Sequence, residues 1–158
     1  MIASAIRTKA NDLMLKYGLI DNGWHFEWIN AKRTFGHCDF RLKVIALSKQ
    51  LTELNSEERM TNTILHEIAH ALVGPLHGHD KAWKKQCIEI GAIPERCVTT
   101  TIDTVSAPSK YTGVCKNCGH EVKYHRKQKS RWACSKCCNA HNFGEFTTKY
   151  LLEIKQNY

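Results

Sequence analysis

The chain has 158 residues, of which 42% are hydrophobic, and a formal net charge of +8 at pH 7. This length suits one domain of ordinary size with a small additional unit. No stretch approaches the roughly 18 apolar residues of a membrane span, and the first residues do not follow the pattern of a signal peptide. We therefore expect no membrane partner and an intracellular location, cytoplasmic or nucleoid/nuclear, rather than secretion.

The positive charge is concentrated in the C-terminal third of the chain. Residues 1–105 carry 13 Lys and Arg against 12 Asp and Glu, a balance of +1. Residues 106–158 carry 10 against 3, a balance of +7. This excess predicts a polyanionic partner for the C-terminal region, and nucleic acid is the commonest such partner.

The first predicted elements are a helix and a small sheet. Residues 3–17 place apolar side chains on one face and charged side chains on the other, which is typical of an amphipathic helix. Alternation of apolar and polar residues between Trp24 and Ser48 predicts two or three antiparallel strands. His25 and His37 lie in this region, and we interpret them as surface or hydrogen-bonded residues rather than metal ligands.

A second amphipathic helix is predicted between Asn55 and Gly74. Asn55 and Glu58 have the spacing of an N-cap with its capping-box partner, and Gly74 followed by Pro75 ends the segment. An apolar residue recurs at every fourth position and gives the helix a face to bury: Met60, Ile64, Ile68 and Leu72.

The same helix carries an H-E-x-x-H pattern that begins at His66. His66 and His70 are four residues apart, so they lie on one helical face and can hold one metal ion. Glu67 lies beside this pair, where its carboxylate can act on a water molecule whose pKa zinc lowers to about 7. The pattern is typical of zinc peptidases; the alternative interpretation is two ordinary helix histidines.

A catalytic zinc takes three protein ligands and keeps a fourth position open for water, and two histidines compete for the third place. His79 is followed four residues later by Trp83. A helix that begins near Asp80 would therefore keep this imidazole at its N-terminus while the indole packs inward. His77 remains the alternative third ligand. Gly91 is the predicted end of this helix.

The join between two domains is predicted near Ser106. Residues 98–110 are dominated by small polar residues, although Val98 to Val105 could form a short strand. We therefore divide the chain into a domain of residues 1–105 and a basic domain of residues 106–158.

Two Cys-x-x-Cys pairs lie in the second domain, separated by fifteen residues, and this is the spacing of a zinc ribbon. Their four thiolates close a tetrahedral zinc site with no open position, so this second zinc is structural: Cys115, Cys118, Cys134 and Cys137. Disulfides are one alternative, and replacement of Cys137 by Cys138 is another. The three histidines of this region are interpreted as spectators: His120, His125 and His141.

The segment between the cysteine pairs is basic and contains two aromatic residues. Such a segment can contact phosphates and stack on unpaired bases, so it predicts contacts with DNA that is single-stranded or has single-stranded character. The predicted contact residues are Lys123, Tyr124, Arg126, Lys127, Lys129, Arg131 and Trp132. The alternative is a solvated hairpin tip with its aromatic rings packed on the ribbon.

Taken together, these features resemble the SprT-like domain of the Spartan-type metalloproteases. The likeness lies in the H-E-x-x-H-A sequence of residues 66–71, the Gly-His-x-x-x-aromatic element of residues 78–83, the preceding helix and hairpin, and the cysteine ribbon. It covers nearly the whole chain.

The resemblance implies a minimal zincin-like core in which three histidines hold catalytic zinc and Glu67 is the general base: His66, His70 and His79. It also implies proteolysis of proteins bound or crosslinked to DNA, and hence a part in the repair of DNA–protein crosslinks.

The sequence thus predicts an α+β protein with a zincin-like core and a small β zinc ribbon. The predicted core consists of an N-terminal helix, a small antiparallel sheet, the H-E-x-x-H helix and a following helix. The predicted function is that of a zinc endopeptidase with two zinc ions, one catalytic and one structural, acting on DNA-associated proteins. Two alternatives stay open: a non-catalytic DNA-binding protein that uses the zincin fold as a scaffold, and a zinc hydrolase with a non-peptide substrate.

Overall fold

The computed structural model of the chain describes residues 2–96 and 105–158. The chain divides into two compact units, Met1–Ala107 and Pro108–Tyr158. Of the short strand that the sequence suggests for residues 98–105, only Val105 is described, and it belongs to no strand. No helix in the described part of the chain combines the length and apolar character that a bilayer crossing requires.

The N-terminal unit mixes helices and strands, which confirms the predicted α+β class. Its elements in chain order are α1 (Ile2–Lys16), β1 (His25–Ile29), β2 (Gly36–Asp39), β3 (Val44–Ser48), α2 (Lys49–Leu54), α3 (Glu57–Val73) and α4 (Lys81–Ile90). The sequence indicated all of these elements except α2.

The three strands form a sheet in the order β1-β3-β2, and the prediction of a fully antiparallel sheet is wrong. Strand β2 is antiparallel to β3, but β1 is parallel to β3. Strand β3 is buried along its whole length, from Val44 to Ser48. A strand without an exposed face is best placed at the centre of a sheet, and β3 therefore separates β1 from β2. Alternation of residues indicated the strands but not their order.

Helix α3 begins one residue later than predicted, and its N-cap is Ser56. The Ser56 hydroxyl accepts a hydrogen bond from the backbone N–H of Arg59 at 3.1 Å. Asn55, the predicted cap, ends α2 instead and is buried. Its amide group donates to the carbonyl of Val105, and its oxygen accepts from the Val105 N–H. Asn55 therefore ties two segments together that are 50 residues apart.

The apolar row of α3 packs into the main core of this unit, as the sequence predicts. Met60, Ile64 and Ile68 are fully buried, and Leu72 packs at the edge of the same cluster. The other buried members of the cluster come from α1, the segment after it, and the sheet: Ile6, Ala10, Met14, Leu19, Trp24, Phe26, Ile45 and Leu47. This core fixes the helix that carries the histidines.

The C-terminal unit is a three-stranded antiparallel sheet with a short helix. Its elements are β4 (Tyr111–Cys115), β5 (Glu121–Tyr124), α5 (Ser135–His141), a 3₁₀ turn (Thr148–Tyr150) and β6 (Leu152–Gln156). The strand order is β5-β4-β6. Helix α5 was not predicted from the sequence, because seven residues are too few for a helical period to be recognised.

Candidate metal centres

Three histidines of the N-terminal unit point their Nε2 atoms toward one another. The Nε2 atom of His79 lies 3.1 Å from that of His66 and 3.3 Å from that of His70. Nitrogen ligands at 2.0–2.1 Å around a tetrahedral zinc ion lie about 3.3 to 3.4 Å apart. These two distances are close to that value, and the three ligand atoms all lie within 4.8 Å of one another, so the group fits one tetrahedral metal ion with a fourth position left open.

The ionisation of these rings also suits metal binding. Burial, followed by the charge of neighbouring imidazoles, lowers the pKa of His66 to about 3 and that of His70 to about 4. The pKa of His79 is lowered as well, first by burial and then by the positive charge of Arg96. The rings of His66 and His70 are therefore neutral at pH 7, and a neutral imidazole has the free lone pair that a metal ion requires.

The cap and the first turn of α4 position the third histidine. Asp80 caps the helix by accepting a hydrogen bond from the Trp83 N–H at 3.0 Å, and Gly91 ends it in the left-handed conformation. Trp83 is fully buried, and its ring lies 4.6 Å from the ring of His79. The same indole contacts the other two histidine rings, at centroid distances of 4.7 and 5.2 Å. One buried side chain thus supports all three candidate ligands.

His77 lies outside this group of histidines. Its Nδ1 atom is 2.8 Å from the carboxylate of Asp80, and the group of potential ligands contains His79 instead. His25 and His37 also lie outside the group. His25 pairs with the carboxylate of Glu27 at 3.2 Å.

Glu67 follows the first histidine of the pattern and is buried. Its burial raises the pKa of the carboxyl group to about 8. A cation held by the flanking histidines would favour the charged carboxylate and lower this pKa. Cys38 lies near Glu67, and burial together with the nearby carboxylates raises the pKa of its thiol to about 12. The thiol of Cys38 is therefore protonated at neutral pH.

The three histidines and Glu67 line a cleft of about 650 Å³. Its other walls come from the loop before β2, from β2 itself, from α3 and from the segment after α4: Arg33, Thr34, Phe35, Gly36, His37, Cys38, Phe40, Arg59, Thr63 and Arg96. These wall residues were not predicted from the sequence, because the fold brings them together from segments as far apart as those of Arg33 and Arg96.

The four cysteines of the two Cys-x-x-Cys pairs form the second candidate centre. The Sγ atoms of Cys115 and Cys137 are 3.7 Å apart, and those of Cys118 and Cys134 are 3.6 Å apart. Sulfur ligands at about 2.3 Å around a tetrahedral zinc ion lie about 3.8 Å apart, whereas disulfide sulfurs are separated by about 2.0 Å. The spacing fits a metal site and not disulfides.

Local backbone structure presents these thiols. In the first pair, Gly119 adopts a left-handed conformation and donates its N–H to the carbonyl of Cys115, which closes a tight turn. The second pair occupies the start of α5, where Cys134 is the N-cap. The amide of Asn117 donates to the Sγ atom of Cys137 at 3.3 Å, a contact that the sequence did not indicate.

The neighbouring side chains of this unit do not join the cysteine site. Cys138 is buried but is not part of the group of potential ligands. The same is true of the three histidines interpreted as spectators: His120, His125 and His141. Cys137 is therefore the member of the adjacent pair that faces the other three thiols.

The basic segment between the cysteine pairs is largely exposed, with one exception. Tyr124 is buried, and its ring packs edge-on against that of Trp132 at a centroid distance of 5.5 Å. Little of its ring is therefore exposed, as in the alternative in which the aromatic rings pack on the ribbon, and its contact with DNA stays a prediction. Trp132 is 45% exposed, and the five cations of the segment are exposed: Lys123, Arg126, Lys127, Lys129 and Arg131.

These observations define an α+β protein with two candidate metal centres, one of three histidines beside a cleft and one of four cysteines in a small β unit. The model of the SprT-like family matches residues 6–103. The chain belongs to the SprT-like family. Comparisons with curated proteins and with solved structures gave no significant match. The matched region contains the histidine centre and ends before the cysteine centre.

Proposed function

We propose that the chain is a zinc-dependent endopeptidase that cleaves proteins bound or crosslinked to DNA, with its C-terminal unit contacting the DNA. The observation that carries the proposal is the convergence of the three Nε2 atoms, at 3.1 and 3.3 Å, beside a buried glutamate in an open cleft. Membership in the SprT-like family supports it.

Three histidines would hold the zinc ion through their Nε2 atoms: His66, His70 and His79. When bound in such a site, zinc supplies Lewis acidity, which activates water at neutral pH and polarises a carbonyl group. Trp83 keeps the imidazoles in place by packing against all three rings.

Glu67 would move the proton. Its carboxylate is not among the potential ligands, so it is available to accept a proton from the attacking water and to deliver that proton to the leaving amine nitrogen. A buried carboxylate lowers stability unless it is compensated, as its raised pKa indicates. A protein that used this fold only as a scaffold would gain nothing from it, and this favours the enzyme over the non-catalytic alternative.

The strand edge beside the cleft favours a polypeptide over a compact small molecule as the substrate. Strand β2 contributes three cleft residues, and within the described sheet it pairs with β3 on one side only. The other edge of β2 leaves main-chain groups that an extended polypeptide can pair with. An extended substrate bound there would pass beside Glu67, which lines the same cleft.

The charge of the C-terminal unit supports the DNA contact. Residues 108–158 carry 10 Lys and Arg against 3 Asp and Glu, and a zinc ion with four thiolates would reduce this balance of +7 to about +5. Five of the cations lie together on the exposed segment between the cysteine pairs, beside the half-exposed ring of Trp132. This combination suits a nucleic-acid strand.

The decisive test is a cleavage assay on a DNA-binding substrate. The zinc-loaded protein is incubated with a basic DNA-binding protein, with and without DNA, and Glu67→Gln serves as the matched inactive enzyme. We expect fragments only with intact Glu67 and more of them when DNA is present. Equal fragments from both proteins would rule out the role of Glu67, and absence of cleavage under all conditions would rule out the peptidase.

A further inference from the structure

The turn after α5 presents a phenylalanine to solvent. We call residues 142–146, with the sequence Asn-Phe-Gly-Glu-Phe, the aromatic turn. Phe143 has a relative exposure of 101%, so nothing in the described part of the chain covers it, and Phe146 is 59% exposed. An apolar ring held entirely in water is unfavourable for the isolated chain, which suggests that it contacts a partner.

The backbone at this residue is also unfavourable. Phe143 has φ of 52°, in the left-handed region, and Gly144 follows with φ of 81°. The residue after a helix often adopts this conformation, but it is usually glycine because a side chain is strained there. Phenylalanine therefore occupies a position that glycine would occupy more stably, and such strain is typical of sites with a function.

Hydrogen bonds hold the turn in one conformation. The N–H groups of Asn142 and Gly144 both donate to the carbonyl of Cys138, at 2.8 and 3.0 Å. The side chain of Asn142 donates to the carbonyl of Glu145 at 3.0 Å. Cys138 is next to Cys137 of the cysteine centre, so these hydrogen bonds join the turn to the end of α5 that carries a candidate metal ligand. The backbone of the turn is thus held, and the ring of Phe143 extends from it into solvent.

The charges of the unit indicate what would cover this ring. The unit as a whole is strongly positive, as described above, which favours a nucleic acid. Within the aromatic turn the only charged side chain is that of Glu145, which would repel a phosphate but not the flat face of a base. A phenylalanine ring offers such a base a stacking surface, and that contact requires the base to be unpaired.

We propose that Phe143 is a base-stacking residue for single-stranded nucleic acid, a contact site additional to the basic segment that precedes α5. The proposal rests on the DNA contact of the proposed function and assigns it a residue that the sequence pattern did not indicate. This role explains the strained backbone at position 143. Glycine would be more stable there, but it has no ring on which a base could stack.

The test uses the full-length, zinc-loaded protein and a fluorescent oligothymidine of about 15 nucleotides, close to the upper site size of one small binding domain. Fluorescence anisotropy gives the affinity for this strand and for a duplex of the same length. Three variants are compared with the wild type: Phe143→Gly, Phe143→Leu, which keeps an apolar side chain without a ring, and the control Tyr158→Ala. Tyr158 is 60% exposed in the same unit.

We expect Phe143→Gly and Phe143→Leu to weaken single-strand binding by about 5- to 150-fold, the range that loss of one stacked base gives. Binding of the duplex changes less, and Tyr158→Ala binds as the wild type does. The thermal midpoint of Phe143→Gly is unchanged or raised, since glycine relieves the strain. This combination separates a contact residue from a structural one.

Three results would overturn the proposal: wild-type affinity of Phe143→Gly, an equal loss for strand and duplex, or a loss that accompanies a lower thermal midpoint. A double variant, Arg126→Gln with Lys127→Gln, tests the DNA contact of the C-terminal unit independently of Phe143. If that double variant loses affinity while Phe143→Gly does not, the DNA contact stands and only the role of Phe143 is rejected. If the wild type does not bind DNA, both are rejected.

Discussion

The two candidate metal centres differ in the number of their donors and in the exposure of those donors to solvent. The histidine centre takes two donors from α3 and the third from the residue before the Asp80 cap of α4, and it opens into a cleft in which His79 is exposed. The cysteine centre takes its donors from a tight turn and from the start of α5, and three of its four cysteines are almost fully buried. Three donors leave one coordination position free for chemistry, whereas four close the site.

The hydrophobic cores of the two units also differ. The N-terminal unit has an apolar cluster of eleven buried residues that includes none of the three histidines. In the C-terminal unit, four of the five buried residues of the core are cysteines, and the fifth is Tyr150. We therefore expect the first unit to fold without a metal ion, and the second to need a bound metal ion for folding.

The largest effect should follow from removing a cysteine ligand. Cys134→Ser is expected to unfold residues 108–158, because a structural zinc contributes on the order of 10 kcal/mol to the folding of so small a unit. Zinc content should fall from two ions per chain to one, while the thermal transition of the N-terminal unit remains. Mass spectrometry measures the zinc content, and calorimetry measures the thermal transition.

Cys138→Ser is the matched control, since Cys138 is buried beside the site without belonging to it. It should retain both zinc ions. Loss of one zinc ion from Cys138→Ser but not from a Cys137→Ser variant would show that the wrong member of the adjacent pair was assigned.

Glu67→Gln should have the next largest effect, and only on the reaction. The amide keeps the shape of the side chain but cannot accept a proton, so the cleavage rate should fall by about 10²- to 10⁴-fold, or roughly 3 to 5 kcal/mol. Zinc content and thermal midpoint should not decrease. Glu58→Gln, on the exposed side of the same helix, is the control and should retain full activity. A Glu67→Gln enzyme with more than a tenth of the wild-type rate would be incompatible with its role.

Substitution of the third histidine should weaken zinc binding at the histidine centre and leave zinc binding at the cysteine centre unchanged. His79→Ala removes a donor and should lower zinc affinity more than about 100-fold, beyond the roughly 10- to 100-fold typical of removing a residue that supports a ligand. His77→Ala, which loses only the contact with Asp80, should stay within about tenfold. Competition with a chromophoric chelator measures both affinities. The reverse ranking would assign the third position to His77.

The smallest effects concern single charges of the basic segment. If four or five of its cations contact phosphates, the logarithm of DNA affinity should fall with the logarithm of salt concentration at a slope of roughly 3 to 4. Each neutralising substitution, such as Lys127→Gln or Lys129→Gln, should reduce the slope by about 0.7 to 0.9. Lys155→Gln serves as the control, because Lys155 lies on β6 of the same unit and outside the basic segment. Equal affinity of the full chain and of residues 1–107 would place the DNA contact elsewhere.

The sequence by itself determined the features that depend on spacing within one element. His66 and His70 share a face of α3 because the helix repeats every 3.6 residues, and the apolar row on that helix follows from the same period. The Asp80 cap, the Gly91 end of α4 and the Cys-x-x-Cys turns are equally local. These features can be predicted without knowledge of the fold, because the interacting residues are only a few positions apart in the chain.

The tertiary structure alone decided which distant segments meet. The parallel pairing of β1 with β3 contradicts the predicted antiparallel sheet, and Asn55 contacts Val105 instead of capping α3. The burial of Tyr124 against Trp132 is likewise a result of tertiary packing. The cleft arginines and the placement of Trp83 under all three imidazoles likewise come from segments far apart in the chain. These contacts depend on which elements pack into the core and which strands pair with one another. The spacing of residues within one element does not determine either of these.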